Sequence, residues 1–189
     1  AVLQADRVVV CTNTELHGLF AERLAPHALR LCQLQMLRVM PEPGFRLPGS
    51  VMADLSLVRY HGYSQLPEAA PLLEQIQREE GESLAHGIHL IVVQSADGSL
   101  VVGDSHHYGA APEPFASEHV DTLILRHLRE TLRLREATVT ARWVGTYPSS
   151  PDTDCLIDAP DDATRVVLVT SGTGASTAFG IAEEVFAGW

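Results

Sequence analysis

A chain of 189 residues with 46% apolar content and a formal net charge of −11 can bury a substantial core, in one domain or two small ones. Its acidity argues against a nucleic-acid surface, and its thirteen basic residues are all arginine, which excludes a Schiff-base lysine, pyridoxal phosphate chemistry and a P-loop lysine. Cys11, Cys32 and Cys155 are odd in number and widely spaced, so they form neither a disulfide framework nor a Cys-x-x-Cys site and read as buried free thiols.

The elements follow in chain order. Arg7–Cys11 is a short β-branched run that predicts a buried strand, and the pattern from about Thr14 to Leu24 predicts a helix. Leu29 to Met40 reads as a long strand stopped by Pro41, Pro43 and Gly44. Between about Pro67 and Glu80, Ala70, Leu73, Ile76 and Gln77 recur at helical spacing between Glu-rich flanks. Ile88–Gln94 and Leu100–Gly103 are apolar runs joined by Ser95, Ala96, Asp97, Gly98 and Ser99, and Asp-Gly between such runs predicts a hairpin. Val120, Leu123, Ile124, His127, Leu128 and Thr131 mark one face of a helix from about Ser117 to Leu134. Ala137–Tyr147 reads as extended, Cys155–Asp158 as a short strand, and Pro160, Asp161 and Asp162 as a turn into a last strand at Arg165–Val169.

That last strand meets Thr170, Ser171, Gly172, Thr173, Gly174, Ala175 and Ser176, and a helical pattern then runs towards Trp189. A strand, a Gly-rich turn and a helix aim backbone N–H groups and the positive end of a helix dipole at one point, suited to a phosphate, a carboxylate or an electron-rich ring carbonyl. The same glycines also serve simply to turn the backbone. Both chain ends look like parts of one sheet-and-helix layer and the middle like antiparallel material. The fold class expected is α/β, α+β overall, with a domain contributed in two pieces, 1–28 and 146–189, and a second, mainly antiparallel domain flanked by helices inserted at 29–145.

Three groups of residues carry a resemblance in this order: Ala5-Asp6-Arg7-Val8-Val9-Val10-Cys11; Thr146-Tyr147-Pro148-Ser149-Ser150-Pro151-Asp152 with Leu156-Ile157-Asp158; and Thr170 to Gly174 with Gly180-Ile181-Ala182-Glu183-Glu184. Together they resemble the FAD-dependent amine oxidoreductases typified by D-amino acid oxidase, glycine oxidase and sarcosine oxidase. The resemblance covers the whole chain but only the C-terminal half of a family member. The family's N-terminal Gly-x-Gly-x-x-Gly turn does not occur at residues 1–40. The resemblance implies a fragment or excised domain of a longer oxidoreductase, or a partial product of one, that takes up FAD poorly alone and whose partner is the N-terminal half of the same protein. His89-Leu90-Ile91-Val92-Val93-Gln94-Ser95 and Gly103-Asp104-Ser105-His106-His107-Tyr108-Gly109 are similar to the branch associated with phosphonate catabolism. That branch implies a small aminophosphonate or its N-methyl derivative as substrate.

The resemblance also implies site residues. Gly172, Thr173, Gly174, Ala175 and Ser176 align with the loop that reaches the flavin ring, where backbone N–H groups stabilise negative charge on it. Thr12 and Asn13 stand beside the cofactor or form a simple turn. Asn13 falls where the family has glycine and tolerates a left-handed backbone. Tyr147 ends the active-site strand, where its phenol either hydrogen-bonds the substrate or packs at the domain junction. Gly145 stands near the family's flavin-linked cysteine, so the flavin is expected to be non-covalent. The carboxylate-binding lysine of some members is replaced by Ser176, and the arginine of glycine oxidases by Tyr147, which makes a plain amino acid the weaker substrate. His106 and His107 face the flavin from the inserted domain in the resembling branch, and one imidazole would bind an anion or accept a proton, His106 being slightly favoured.

His86 and His89 with Asp104 do not read as a metal site, because an extended segment places positions three apart on opposite faces and no ligand motif supports it. No metal is therefore expected. Arg142 and Trp143 read as strand and junction packing. A non-catalytic module using Gly172–Gly174 as an anion nest is the rival from another class, and a metal-dependent hydrolase a third. With no apolar stretch near the roughly 20 residues of a membrane helix and no basic-then-apolar start, the expected place is the cytoplasm, with no membrane or nucleic-acid partner.

Overall fold

The structure is a computed structural model that describes residues 2–189. Its contacts divide the chain into two compact units. The first comprises the stretch up to Cys32, Tyr108–Pro112 and Thr146–Trp189, and the second Gln33–His107 with Glu113–Gly145.

In the first unit, β1 (Val8–Val10) leads to a single helical turn, α1 (Ala21–Leu24), and a 3-10 turn at Ala25–His27. The helix predicted from Thr14 is thus cut to its last turn. Phe20 stands in the left-handed region at φ 62°, as do Asn13 and Ala28 at φ 49°, and no continuous helix passes through such positions. What the apolar spacing recorded there is packing: Leu16 and Phe20 lie on a small core of Leu24, Leu156, Val166 and Leu168. Further along the chain, β8 (Cys155–Asp161) and β9 (Thr164–Val169) form an antiparallel pair, and β9 pairs in parallel with β1 to give the order β1-β9-β8. Strand β8 runs three residues further than its apolar pattern, carrying Pro160 and Asp161 in the strand and leaving the turn to Asp162 and Ala163.

The second unit is built on the 12-residue strand β2 (Arg30–Pro41), whose first three residues belong to the other unit. A short strand β3 (Val51–Met52), a 3-10 helix at Asp54–Val58 and three helices, α2 (His61–Ser64), α3 (Ala69–Glu79) and α4 (Gly81–Ala85), precede the hairpin of β4 (Ile91–Gln94) and β5 (Leu100–Gly103). The sheet runs β3-β4-β5-β2, and β6 (His107–Gly109) and β7 (Ala137–Ser149) also pair with β2. In the hairpin turn Asp97 Oδ1 accepts from the Ser99 amide and hydroxyl at 3.0 and 2.6 Å, and Gly98 takes φ +85°.

Helix α5 (Glu118–Thr131) covers this sheet. Ser117 caps it, its hydroxyl accepting from the Val120 amide, and Leu123, Ile124 and Leu128 join Leu37, Val39, Leu90, Val92, Leu100 and Val102 in one dry cluster. Gln35 pins the start of the helix to β2: its Nε2 donates to the Ser117 carbonyl and to Asp121 Oδ1 at 2.9 and 2.8 Å, and its Oε1 accepts from the Ser117 amide at 2.8 Å. Arg142, expected only to pack, donates from Nε to Asp121 Oδ2 at 2.8 Å.

The three cysteines are free, as the spacing predicted, but only Cys32 is buried; Cys11 is exposed and Cys155 half-buried. Among the described residues no helix is long and apolar enough to cross a membrane.

Candidate functional site

The residues expected to meet a cofactor all lie in the first unit. Strand β9 ends at Val169, and helix α6 (Gly174–Ala187) begins after Thr173, whose carbonyl takes the amides of Ser176 and Thr177 at 3.0 and 3.1 Å. Among the described residues the amides of Gly172, Thr173, Gly174 and Ala175 have no acceptor, which leaves donors and the positive end of a 14-residue helix at one place. Ser171 and Thr173 join hydroxyls at 2.7 Å and shape the turn. Tyr147 reaches the same turn: a Cβ built on Gly172 would lie 3.7 Å from its hydroxyl. A Cβ on Gly174 would touch Val169 Cγ1 at 3.4 Å, so the helix starts close against the strand it follows.

Thr12 and Asn13 follow β1. Asn13 adopts the left-handed conformation for which the sequence had prepared it, and Thr12 Oγ1 is buried with no hydrogen-bond partner among the described residues. Beside them β1, β9 and α6 enclose an apolar cavity of about 350 Å³, with Val9, Val167, Val169, Ile181, Val185 and Asn13 in its wall. The recess suits a flat, largely apolar ring, and the same unit carries the orphaned Thr12 hydroxyl and the unpartnered amides of the turn as donors for electron-rich oxygens. These residues fit FAD.

The histidines lie in the second unit and form two sets. His86 Nδ1 and His107 Nε2 share a hydrogen bond of 3.0 Å, and the His86 ring also stands edge-on to His119, which pairs with Glu82. His106 turns the other way, as adjacent residues of an extended segment must: its Nδ1 donates to the Gly87 carbonyl at 3.0 Å, and its ring stacks on that of His89. His89 Nε2 lies 3.4 Å from both His106 Nε2 and Asp104 Oδ1. Burial, assisted by the charge of Arg59, holds both His89 and His106 neutral, each pushed down to about 3, whereas burial pushes the Asp104 carboxyl up to about 7.

That second set corrects the reading of the histidines. His89 and Asp104 do come together, but with His106 and not with His86, and the objection from opposite strand faces does not apply, because residues 86–90 precede β4 and the chain turns at Gly87 with φ +60°. The signal lay in the hairpin register. Pairing Gln94 with Leu100 and Ile91 with Gly103 carries His89 outward to the level of Asp104–His106, and the His89 amide does donate to the Asp104 carbonyl.

The sequence pattern of the family described as FAD dependent oxidoreductase matches residues 1–187. The chain belongs to that family. Comparison with curated proteins gives no match. Among solved structures, a glycine oxidase from Geobacillus kaustophilus superposes with a TM-score of 0.60 at 16% identity, over 98% of this chain and 42% of its own. A glycine oxidase from Bacillus cereus ATCC 14579 gives 0.60 at 10%, over 89% and 37%. An L-proline dehydrogenase from P. horikoshii gives 0.58 at 15%, over 95% and 41%. This member of the FAD dependent oxidoreductase family therefore has the mixed α/β fold of those structures and spans about two-fifths of their length.

Proposed function

We propose that this chain forms the C-terminal part of a flavoenzyme that oxidises the C–N bond of a small amine, with an aminophosphonate or its N-methyl derivative as the substrate class. The observation that carries the reading is the turn Gly172–Ala175, whose unpartnered amides and helix N-terminus stand beside the Tyr147 hydroxyl within one unit. Family membership supports FAD as the cofactor, and two of the matched structures, glycine oxidase and L-proline dehydrogenase, are named for nitrogen-bearing amino acids.

FAD bound there, without a covalent link, supplies the acceptor for a hydride from the carbon beside the substrate nitrogen, and the resulting imine is hydrolysed by water. Everything else is the work of this chain. The amides of Gly172 to Ala175 and the start of α6 stabilise negative charge on a ring oxygen, where donors fixed in advance need no reorganisation. Thr12 supplies a further hydroxyl, and Asn13 holds the turn after β1 in its left-handed conformation. The Tyr147 phenol orients the substrate. With Ser176 and Tyr147 where relatives carry lysine or arginine, the substrate's acidic group is read as a phosphonate rather than a carboxylate. The compartment proposed is the cytoplasm, and the partner is the remainder of the same flavoprotein.

The test is to express the complete open reading frame that contains this chain and titrate it with FAD. A yellow protein whose visible absorbance bleaches anaerobically with an aminophosphonate is expected. In that protein Tyr147→Phe should lower kcat/KM about tenfold, the worth of one hydrogen bond of ~1.4 kcal/mol, with flavin content unchanged. A protein that takes up no FAD but binds phosphate or a phosphonate by calorimetry would overturn the reading in favour of an anion-binding module at the same turn.

A further inference from the structure

The buried set in the second unit has no part in the flavin reading, and its geometry is that of a site. His89 Nε2, His106 Nε2 and the Asp104 carboxylate converge: the two nitrogens are 3.4 Å apart, Asp104 Oδ1 is 3.4 Å from His89 Nε2, Asp104 Oδ2 is 3.8 Å from His106 Nε2, and one ligand atom from each residue lies within 4.8 Å of the other two. A tetrahedral zinc ion with bonds of roughly 2.0–2.1 Å requires its ligand atoms to stand about 3.3–3.4 Å apart. Because His106 Nδ1–H is committed to the Gly87 carbonyl, its Nε2 carries the lone pair and faces His89. Asp104 Oδ1 is left buried with no hydrogen-bond partner among the described residues.

We propose that His89, Asp104 and His106 bind a divalent transition-metal cation of the zinc class, with one coordination position left for water. The donor set, two imidazoles and one carboxylate, is of the kind that holds zinc with an open fourth position. The Gly87 carbonyl is the outer partner that fixes the His106 tautomer and ring orientation, as such partners do for metal-bound histidines. A cavity of about 230 Å³ adjoins His89, walled by Leu55, Leu73, Leu84 and Ile88 with Arg59 as its other polar side chain. Tyr60 stands edge-on to the His89 ring with centroids 5.4 Å apart and limits its rotation. The set in which His86 and His107 share a hydrogen bond directly does not offer this convergence.

The test uses the 189-residue chain, stripped with a chelator and shown by circular dichroism to remain folded. Zinc is titrated by calorimetry in competition with a chromogenic chelator, and cobalt(II) replaces it for visible spectroscopy. One metal per chain, a tetrahedral cobalt spectrum and a rise in Tm on zinc addition are expected. Asp104→Asn, which keeps the carboxamide's shape, and His89→Gln and His106→Gln should each weaken affinity by about 100-fold or more, at or beyond the upper end of what losing even an outer partner costs. His86→Gln and His107→Gln should leave it within about twofold of the parent. A folded parent chain that takes up neither zinc nor cobalt overturns the proposal, and so does uptake that survives in folded Asp104→Asn while falling in His86→Gln. Because flavin plays no part in these readouts, their failure is distinct from failure of the oxidoreductase reading.

Discussion

At the scale of single residues, two positions tie the second unit's stability to its buried histidines. Gly87 combines φ +60° with a close approach: a Cβ there would lie 2.8 Å from His106 Cβ and 2.9 Å from the His106 carbonyl oxygen. Gly87→Ala should therefore destabilise the chain by about 1–3 kcal/mol in urea unfolding, whereas Gly81→Ala, with nothing within 4 Å of the new methyl, should be neutral or slightly stabilising. Equal effects of the two would refute the crowding at His106. His127 sits buried with its Nε2 2.8 Å from Ser83 Oγ, faced by Glu80 and Arg126, by Glu130 on its own helix, and by the charge of Asp54. Burial lowers its pKa below the ordinary 6.5, so the unfolded chain takes up this proton at a higher pH than the folded one. Stability from this residue is complete above about pH 6.5 and is lost as pH falls towards the lowered folded value. The urea midpoint should drop between about pH 7.5 and about pH 5.5, and His127→Gln should flatten that drop; an unchanged pH dependence in the variant would rule the residue out as a source.

The elements rest on a few polar ties as much as on apolar stripes. Gln35 is 5% exposed and makes three hydrogen bonds to the start of α5, so Gln35→Leu would leave Asp121 Oδ1 and the Ser117 amide and carbonyl to find other partners. A loss of about 1–3 kcal/mol is expected by chemical denaturation, and a variant as stable as the parent would show that the tie contributes nothing. What was legible in the sequence at this scale divides by the range of the forces involved. The hairpin was legible because Asp97 and Gly98 act on their own turn, and α5 because its core face repeats every three or four residues after the capping Ser117. The segment 14–20 was not legible. Leu16 and Phe20 have helical spacing, but tertiary packing holds Phe20 in a left-handed conformation that no local propensity announces. The turn after β9 was visible from its glycines and from family resemblance, and Asn13 from its tolerance of positive φ. The cluster of His89, Asp104 and His106 is not legible in the spacing of any one segment, because the contact is made across a hairpin whose register extends past its last strand residue.

At the scale of the molecule, the two units differ in how far each covers its own apolar surface. Among the described residues the second unit has a cluster of eleven buried residues, Leu37 to Leu128, between sheet and helix. The first has four, Leu24, Leu156, Val166 and Leu168. Its sheet is three strands wide, Val8 and Val9 of β1 are partly exposed, and along α6 only Val185 is buried, while Phe179 and Phe186 are 88% and 60% exposed. At about 25 cal/mol per Å² of apolar surface removed from water, the first unit gains much less from its own folding than the second. The 189-residue chain should therefore lose its structure in two steps. In native-state hydrogen exchange, amides of Leu37, Val92 and Ile124 should outlast those of β1 and α6, and an anilinonaphthalene dye should bind the native chain. Phe179→Asp and Phe186→Asp should cut that fluorescence by about half or more, because both rings belong to the helix that walls the apolar cavity. Phe115→Asp, at an equally exposed ring in the other unit, is the control and should change it little. If α6 exchanged as slowly as α5 and the dye ignored the chain, the apolar face of the first unit would have to be closed by its own residues. A surface so closed would also deny a cofactor the recess beside Asn13.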